Sequence, residues 1–228
     1  MSEKILNRLE IIGNDEQVKS VMEYIKGNPA KDGSERFIDF NKIVEMPVKL
    51  GVDVTGLGNL GQLLLFGTGD LVKFLSIEKA QQEFRNLEFQ DRYQALAAGM
   101  RYQDNIDTYG HRAWDTWGYE NWGTKWNAWE QFLAANNVVA FTTANFDVHG
   151  LIEKLSIIFP DIEFRYSWDD ISNEWNCIIQ NGAIKSSDFD LLELEKSYTE
   201  PVEYGFFRAF LNSQEGEFCN YECPFIDG

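Results

Sequence analysis

The residues with the clearest capacity for chemistry are tryptophans, because they are concentrated in one stretch of the chain. An indole ring offers a large apolar face for stacking, and its N–H needs a hydrogen-bond partner when it is buried. Such a cluster therefore either packs against the rest of the domain or stacks on a ligand. Five of the seven tryptophans lie within sixteen residues: Trp114, Trp117, Trp122, Trp126 and Trp129.

Two cations accompany this cluster. On a helix, Trp122, Trp126 and Trp129 would share one face, and Lys125 and Arg112 are the nearest positive charges. Indole faces beside a cation suit a purine or a phosphorylated ligand, because the ring stacks on the base and the cation pairs with the phosphate. We therefore predict a ligand-binding site at these five residues. The alternative, that the rings hold a helical insertion against a sheet, stays open.

A second pattern, in the segment VTGLGNLG, places glycines at positions 56, 58 and 61. In dinucleotide-binding folds the spacing G-x-G-x-x-G lets backbone amides approach a pyrophosphate. Such folds also need a buried strand before the glycines and an acidic residue at the end of a second strand. Neither feature is evident here. We expect instead a flexible glycine-rich loop at the start of an insertion, and no cofactor.

Other reactive residue types are sparse. The two histidines, His111 and His149, lie outside any H-E-x-x-H spacing, so surface or helix-start roles are expected for both. Cys219 and Cys223 have C-x-x-x-C spacing but lack a second pair of ligands, so no metal site is expected. The sequence contains no nucleophile elbow, Walker phosphate loop or kinase signature. We therefore predict no catalytic residues.

The elements that must position these residues begin with a strand and a helix. Leu9 and Ile11 alternate with polar residues, as in a half-buried strand. Asn14 can then cap a helix, with Gln17 placed to complete a capping box. The next segment, FIDFNKIVEMP, has the composition of a β-strand.

The same order of elements returns near residue 137. The segment VVAFTTANF predicts a strand, and Asp147 predicts the cap of an apolar helix. A further strand, EWNCIIQ, leads to a turn at Asn181 and Gly182. The clearest strand pattern lies between them, where the apolar residues Ile162, Phe164, Tyr166 and Trp168 alternate with polar ones.

Two β-α-β units in one chain predict a β-α-β-β-α-β plan, in which two helices pack on one face of an antiparallel sheet. The fold class is therefore α+β, with a large helical, Trp-rich insertion whose helices begin near Ser76. We predict a single domain over residues 1–185, with the insertion at about 51–134. A helical or irregular C-terminal extension is predicted over residues 186–228.

Composition limits the possible partners. The 37 acidic residues outnumber the 20 basic ones and give a formal net charge of −17. This charge repels a phosphate backbone, so direct binding to nucleic acid is disfavoured. It is consistent with solubility, or with mimicry of nucleic acid toward a basic partner. Because no stretch approaches the roughly 20 apolar residues of a membrane span and no leader peptide is evident, we expect a cytoplasmic protein without a membrane partner.

Several segments, taken in order, resemble the Api92-like proteins with a ferredoxin-like domain, a family carried by bacteriophages, plasmids and integrated elements of bacteria. They are LNRLEIIGNDEQVKSVMEYIKG, DFNKIVEMP, WGYENWGTKWNAW and FTTANFDVHGLIEKLSIIFPDIEFRYSWDD. The match covers most of residues 4 to 184 and is most specific in WGTKW and DFNKI-x-x-MP. The resemblance implies a ferredoxin-like antiparallel sheet and a bacterial host cell. It implies no activity and no iron–sulfur cluster, since four closely organised cysteines are missing.

These observations lead to three hypotheses of function. The first is a non-enzymatic binding protein of a phage or mobile element, which sequesters a nucleotide-like ligand or a host protein and so counters host defence. The second is an acidic mimic of nucleic acid that inhibits a host protein. The third is a small nucleotide-processing enzyme that uses scattered acids and His111. The oligomeric state is not predicted.

Overall fold

The computed structural model describes residues 3–30, 33–169 and 174–187. The described chain divides into two compact units. The sheet unit contains the residues up to 45 and those from 121 onwards, and the helical unit contains residues 46–120. Residues 121–134 of the predicted insertion therefore belong to the sheet unit. The predicted C-terminal extension from residue 188 onwards, with Cys219 and Cys223, lies outside the described residues.

The strands of the described chain form one sheet, in which every neighbouring pair is antiparallel. They are β1 (Lys4–Ile12), β2 (Trp129–Ala135), β3 (Val138–Ala144), β4 (Glu163–Asp169), β5 (Glu174–Gln180) and β6 (Ala183–Ser187). Their order across the sheet is β2-β3-β1-β4-β5-β6. The edges of the described sheet are therefore β2 and β6.

The α-helices of the described chain are α1 (Asp15–Ile25), α2 (Phe40–Ile43), α3 (Gly56–Phe66), α4 (Ile77–Asn86), α5 (Phe89–Tyr109), α6 (Trp114–Trp122) and α7 (His149–Ile158). The first four strands, with α1 and α7, follow a β-α-β-β-α-β order along the chain, but the second strand is Trp129–Ala135, within the predicted insertion, and not the predicted segment FIDFNKIVEMP. β5 and β6 extend the sheet beyond β4. The predicted α+β class is confirmed.

The first strand and helix form where the sequence predicts them, because their signals are local. Every second side chain of β1 is buried from Ile5 to Ile11, as the alternation predicts. The capping box before α1 is also present. The Gln17 amide donates to Asn14 Oδ1 at 3.0 Å, and the Asn14 amide donates to Gln17 Oε1 at 2.9 Å.

The core of the sheet unit lies between the sheet and the two helices. Tyr24 of α1 and Phe159, which follows α7, make an edge-to-face contact with ring centroids 5.4 Å apart, so α1 and α7 lie side by side on one face. Full burial of each apolar side chain between them contributes about 1.5–3 kcal/mol. The fully buried members include Leu9, Ile11, Val21, Ile25, Phe141, Leu151, Ile152, Leu155, Phe164 and Tyr166.

A buried polar network lies within this apolar core. Tyr166 donates its hydroxyl hydrogen to Asn7 Oδ1 at 2.5 Å and accepts a hydrogen bond from the Val148 amide at 2.8 Å. The Asn7 amide group donates to Thr143 Oγ1 at 2.8 Å. The network joins β1, β3 and β4 to the start of α7, and every bond in it replaces one that water would otherwise supply.

The β-strand predicted for FIDFNKIVEMP is wrong, because none of its residues lies in a strand and residues 40–43 form the short helix α2. The Asp39 carboxylate accepts a hydrogen bond from the Asn41 amide and caps this turn. The residues before it approach the edge strand β2 through a side chain. The Gln131 side chain accepts a hydrogen bond from the Ile38 amide and donates one to the Ile38 carbonyl, each at 2.9 Å. These two bonds replace the backbone pairing that a neighbouring strand would provide at the sheet edge.

The helical unit is built on close packing between α3 and α5. The flexible loop predicted for VTGLGNLG is wrong, because Gly56, Gly58 and Gly61 lie in α3. A Cβ atom added at Gly58 would lie 2.5 Å from the ring of Tyr102, and one added at Gly61 would lie 1.8 Å from the Ala95 carbonyl oxygen. The glycines therefore serve helix-to-helix contact and not the approach of a phosphate.

The start of α3 is fixed by Tyr102 of α5. The Tyr102 hydroxyl donates to the Asp53 carbonyl at 2.6 Å and accepts from the Thr55 amide at 3.0 Å. Thr55 in turn caps α3 by accepting from the Gly58 amide. The helices predicted from Ser76 onwards are confirmed, and Ser76 itself caps α4 through its side chain.

Candidate functional site

The tryptophan segment is not one helix. α6 ends at Trp122, Gly123 has a φ of +86°, and Trp129 is the first residue of β2. The prediction that Trp122, Trp126 and Trp129 share a helical face is therefore wrong. The helix stops because glycine adopts a positive φ readily, and the chain then turns toward the sheet edge.

Trp122 is part of the core. Only 3% of its surface is exposed, its ring N–H donates to the Val44 carbonyl at 2.9 Å, and its ring contacts Phe40 edge-on with centroids 5.9 Å apart. Both the apolar face and the polar atom of the indole are thus satisfied inside the sheet unit. This ring therefore packs in the core of the sheet unit.

The two residues after Trp122 hold the segment against the end of β3. Thr124 Oγ1 donates to the Ala144 carbonyl at 2.9 Å and accepts from the Ala144 amide at 3.2 Å. Gly123 lies so close to the next connection that an added Cβ would be 3.1 Å from the Asp147 carbonyl oxygen. The loop is therefore anchored at its base, just before its partly exposed residues.

The partly exposed residues Lys125, Trp126 and Trp129 together form what we call the aromatic–lysine surface. Lys125 Nζ lies 5.2 Å from the centroid of the Trp126 ring, within the range of a cation–π contact. The Trp126 and Trp129 rings meet edge-to-face at 6.1 Å and 78°. Trp126 is 37% exposed. The structure thus brings three of the five predicted site residues together.

A β-bulge shapes the strand next to this surface. Trp129 pairs with Thr142 and Phe132 pairs with Ala140, so β2 carries one extra residue between the two pairs. Glu130 lies in the bulge with a φ of +47°, a conformation that is rare for a residue other than glycine, asparagine or aspartate. Its carboxylate accepts hydrogen bonds from Lys4 Nζ at 2.8 Å and Thr142 Oγ1 at 3.3 Å. Nothing in the sequence pattern indicated this bulge.

Arg112 belongs to the helical unit, where its contacts are acidic and polar. Its Nη1 lies 2.6 Å from Asp70 Oδ2 and 3.4 Å from Asn59 Oδ1. The neighbouring His111 is also paired, with Nε2 3.0 Å from Glu120 Oε2. Both side chains are thus engaged by residues of the helical unit.

A second group of interacting side chains lies at the start of α7, where the sequence indicated only a cap at Asp147 and a surface or helix-start role for His149. The predicted cap is displaced by one residue, because Val148 is the N-cap residue of α7. His149 Nδ1 is 2.5 Å from Asp147 Oδ1, and the His149 amide donates to the same oxygen at 2.9 Å. The imidazole stacks on Trp168 at 6.0 Å and 25°, and Trp168 stacks on Tyr166 at 5.3 Å and 27°. The D-x-H spacing at a helix start was the one available signal for this pair.

Protonation of the pair is coupled. The pKa of His149 is raised above its ordinary value, chiefly by the hydrogen bond to Asp147; burial opposes this, and the charges of Asp147 and Glu153 add to it. Burial acts to raise the pKa of Asp147, but the hydrogen bonds from His149 lower it overall. The pair therefore stabilises the fold most at intermediate pH. Its contribution is lost as pH rises through the His149 pKa, or falls through the Asp147 pKa.

We expect the substitution Asp147→Asn to lower the pKa of His149, because it removes the hydrogen bond and the charge that raise it. The measurement is an NMR titration of the His149 ring in both proteins. Glu153→Gln is the comparison, with a smaller decrease expected, since Glu153 acts on His149 through charge alone. An unchanged midpoint in Asp147→Asn would show that the pair does not form in solution.

Two nearby groups are not available for proton transfer near neutral pH. Burial raises the pKa of Tyr166 well above its ordinary value, so the hydroxyl stays neutral and acts as a hydrogen-bond donor. Burial also raises the pKa of Cys177 to about 12, so its thiol is not an activated nucleophile.

The fold and these side chains define an α+β protein that presents an aromatic–lysine surface beside the bulged edge of its sheet. Within the described ranges, no helix has the length and apolar character needed to cross a membrane.

No family model matches the chain, and no curated protein matches it. Among solved structures, the crystal structure of a protein api92 from Yersinia pseudotuberculosis is similar at the level of the fold, with a TM-score of 0.40 and 11% sequence identity. The similarity covers 83% of this chain and 98% of that one.

Proposed function

We propose that this chain is a non-enzymatic binding protein that holds a nucleotide-like ligand on its aromatic–lysine surface. The observation that carries the proposal is the Trp126 ring, which stays partly exposed beside the Lys125 ammonium although the loop around it is anchored. An exposed indole has an ordinary explanation when it is isolated and mobile. Here it is held against a second indole, Trp129, and beside a positive charge.

The chemistry of the surface suits a planar ligand with a negative group. Any nucleobase can stack on an indole face, whatever hydrogen-bond donors and acceptors it carries, because every base has a π face. The Lys125 ammonium can pair with a phosphate as a point charge. The surface thus supplies an indole face for stacking and a positive charge for pairing, and neither interaction makes or breaks a covalent bond in the ligand.

The anchoring of the loop favours affinity. Thr124 and Trp122 hold its base through backbone carbonyl and amide groups of β3 and of the residue after α2. A contact surface that is ordered before the ligand arrives loses less conformational entropy on binding. This is the physical reason for placing the ligand here and not on a loop without such bonds.

The setting of this function is also a proposal. The resemblance of WGTKW and the neighbouring segments to Api92-like proteins supports a phage or other mobile element as the source. In a bacterial host cell, sequestration of a signalling nucleotide or a host protein would counter a defence response. The excess of acidic residues supports the alternative role of a nucleic-acid mimic toward a basic host protein.

Native mass spectrometry is the most direct search for the ligand. The protein would be purified from bacterial cells and measured under native and denaturing conditions. We expect a mass of nucleotide size that is present in the native spectrum and lost on denaturation. A bare chain would shift the search to protein partners, by pull-down from the natural host.

Substitution then tests the surface itself. We expect Trp126→Leu to weaken nucleotide affinity by about tenfold or more, because stacking of one base on an aromatic side chain contributes about 1–3 kcal/mol. Lys125→Gln should weaken the binding of nucleotides more than that of the corresponding nucleosides. Affinity is measured by isothermal titration calorimetry with a panel of mononucleotides and cyclic nucleotides.

Matched controls are available in the sheet unit. Lys19→Gln removes an exposed lysine of α1, and Trp175→Leu removes a tryptophan that is 51% exposed on β5. Both are expected to leave nucleotide affinity unchanged. If the panel binds the wild type, and Trp126→Leu and Lys125→Gln bind it equally well, the ligand lies elsewhere and the site assignment is wrong.

A further inference from the structure

A second exposed aromatic surface lies at the ends of β4 and β5. Trp168 and Trp175 are directly paired across the two strands, so their side chains project from the same face of the sheet. It is the face that carries α7, because Tyr166, two residues before Trp168, accepts a hydrogen bond from the Val148 amide. Trp175 is half-exposed, and the His149 ring stacks on Trp168. We call His149, Trp168 and Trp175 the imidazole–indole surface.

The electrostatic surroundings of this surface are negative. Asp147 contacts His149, and Glu153 lies one turn further along α7. Burial is the main cause of the raised pKa of Tyr166 and Cys177, and the hydrogen bond to Asp147 is the main cause of the raised pKa of His149; the charge of Asp147 adds to all three, and that of Glu153 adds to His149 and Cys177. A carboxylate that acts on three neighbouring groups favours a cation over an anion at this place. The net charge of −17 on the whole chain acts in the same direction.

We propose that the imidazole–indole surface is a binding site for a guanidinium cation, which stacks on Trp175 and pairs with the carboxylate of Asp147. A guanidinium group is planar and weakly hydrated, so it stacks on an indole face and donates hydrogen bonds to a carboxylate from its edge. A carboxylate has about four lone-pair positions, so Asp147 can accept further bonds beside those from His149. An alkylammonium ion cannot stack in this way.

Protonation of His149 competes with binding of the guanidinium cation, because both place a positive charge beside Asp147. The charged groups that act on His149 are Asp147 from the β3–α7 connection and Glu153 on α7. Its ring stacks on Trp168 of β4, Trp168 stacks on Tyr166, and Cys177 of β5 pairs with Tyr166 across the strands. Tyr166 and Cys177 stay neutral, so among these described groups the charge is carried by the two carboxylates and the imidazole. Protonated His149 supplies a positive charge where the guanidinium would bind. Affinity for the cation therefore rises as pH increases through the pKa of His149.

The guanidinium group can come from a small molecule or from an arginine side chain of a basic protein, and the experiment separates the two. The probes are agmatine and a short arginine-containing peptide, each matched with its lysine or alkylamine counterpart. Binding is followed by the NMR shifts of the Trp168 and Trp175 indole N–H groups and the His149 ring in the full chain. Shifts with both arginine probes indicate a small-molecule site. Shifts with the peptide alone indicate the side chain of a partner.

Two variants test the residues. Trp175→Leu, at a half-exposed position, is expected to reduce affinity for the arginine probe by about tenfold or more, because the stacking face is removed. His149→Gln is expected to bind the probe with little dependence on pH, because the competing proton has been removed. Trp126→Leu is the control and should bind it like the wild type.

The proposal fails if lysine and arginine probes bind equally and Trp175→Leu has no effect, since general negative charge would then explain the binding. It also fails if neither arginine probe shifts the indole signals. The nucleotide titrations with Trp126→Leu are independent of these results, so either site can be disproved without the other.

Discussion

Gly61→Ala is expected to lower the free energy of unfolding of the helical unit by about 2 kcal/mol or more. The new Cβ would lie 1.8 Å from the Ala95 carbonyl oxygen and 2.5 Å from its carbonyl carbon. These are backbone atoms of α5, so the two helices must separate to admit a methyl group. Overpacking of this kind costs about 1–3 kcal/mol and sometimes more. Higher helix propensity of alanine recovers at most about 1 kcal/mol.

Gly56→Ala is the matched control for this prediction. Gly56 is the first residue of the same helix, and an added Cβ there meets no atom within 4 Å. The control substitution should leave the free energy of unfolding unchanged or raise it slightly, because only the higher helix propensity of alanine applies there. Stability is measured by urea denaturation followed by circular dichroism, with hydrogen exchange of α3 and α5 to assign the change to the helical unit. Equal stability of the two variants would contradict the close packing of these helices.

Tyr166→Phe is expected to destabilise the sheet unit by about 3 kcal/mol. The substitution keeps the ring but removes a hydroxyl that donates to Asn7 Oδ1 and accepts from the Val148 amide. Tyr166 and Asn7 have no exposed surface, and Val148 is almost fully buried, so water cannot replace the lost bonds. Each buried polar group left without a partner costs about 1–3 kcal/mol.

The control for Tyr166 is Tyr24→Phe. Tyr24 is 38% exposed, and its ring packs on Phe159, so loss of its hydroxyl should change stability by less than about 0.5 kcal/mol. Both variants are compared by thermal and urea unfolding. If Tyr166→Phe unfolds like Tyr24→Phe, the polar network contributes nothing to stability. A shift of the His149 signals in Tyr166→Phe would show in addition that the network holds the start of α7.

The local signals in the sequence predicted the sheet unit well. The capping box at Asn14 and Gln17 involves residues three apart, so it forms whatever the rest of the chain does. The alternation through Phe164 and Tyr166 predicted β4, and Asn181 and Gly182 form a turn with positive φ at both residues. The second strand of the predicted plan was the exception, because β2 lies at Trp129–Ala135, in a part of the chain where the sequence had predicted a helical insertion.

The errors arose where a local pattern has two structural uses. Glycines at positions 56, 58 and 61 are consistent with a mobile loop or with close helix packing, and only the presence of α5 decides between them. The tryptophans at 122, 126 and 129 fit a helical face, yet a positive φ at Gly123 ends the helix. The residues around Asn41 have β-like neighbours, but a cap from Asp39 closes a helical turn.

The sequence by itself determined the acidic character of the protein, its α+β class and the concentration of indole rings near a lysine, because composition and short-range periodicity contain that information. Only the tertiary structure decided which rings are exposed. Trp122 is buried because the Val44 carbonyl and Phe40 reach it, and Trp126 is exposed because Thr124 turns the chain at β3. His149 of α7 contacts Trp168 of β4. A contact between two elements depends on how they pack, and the spacing of residues along the chain does not reveal it.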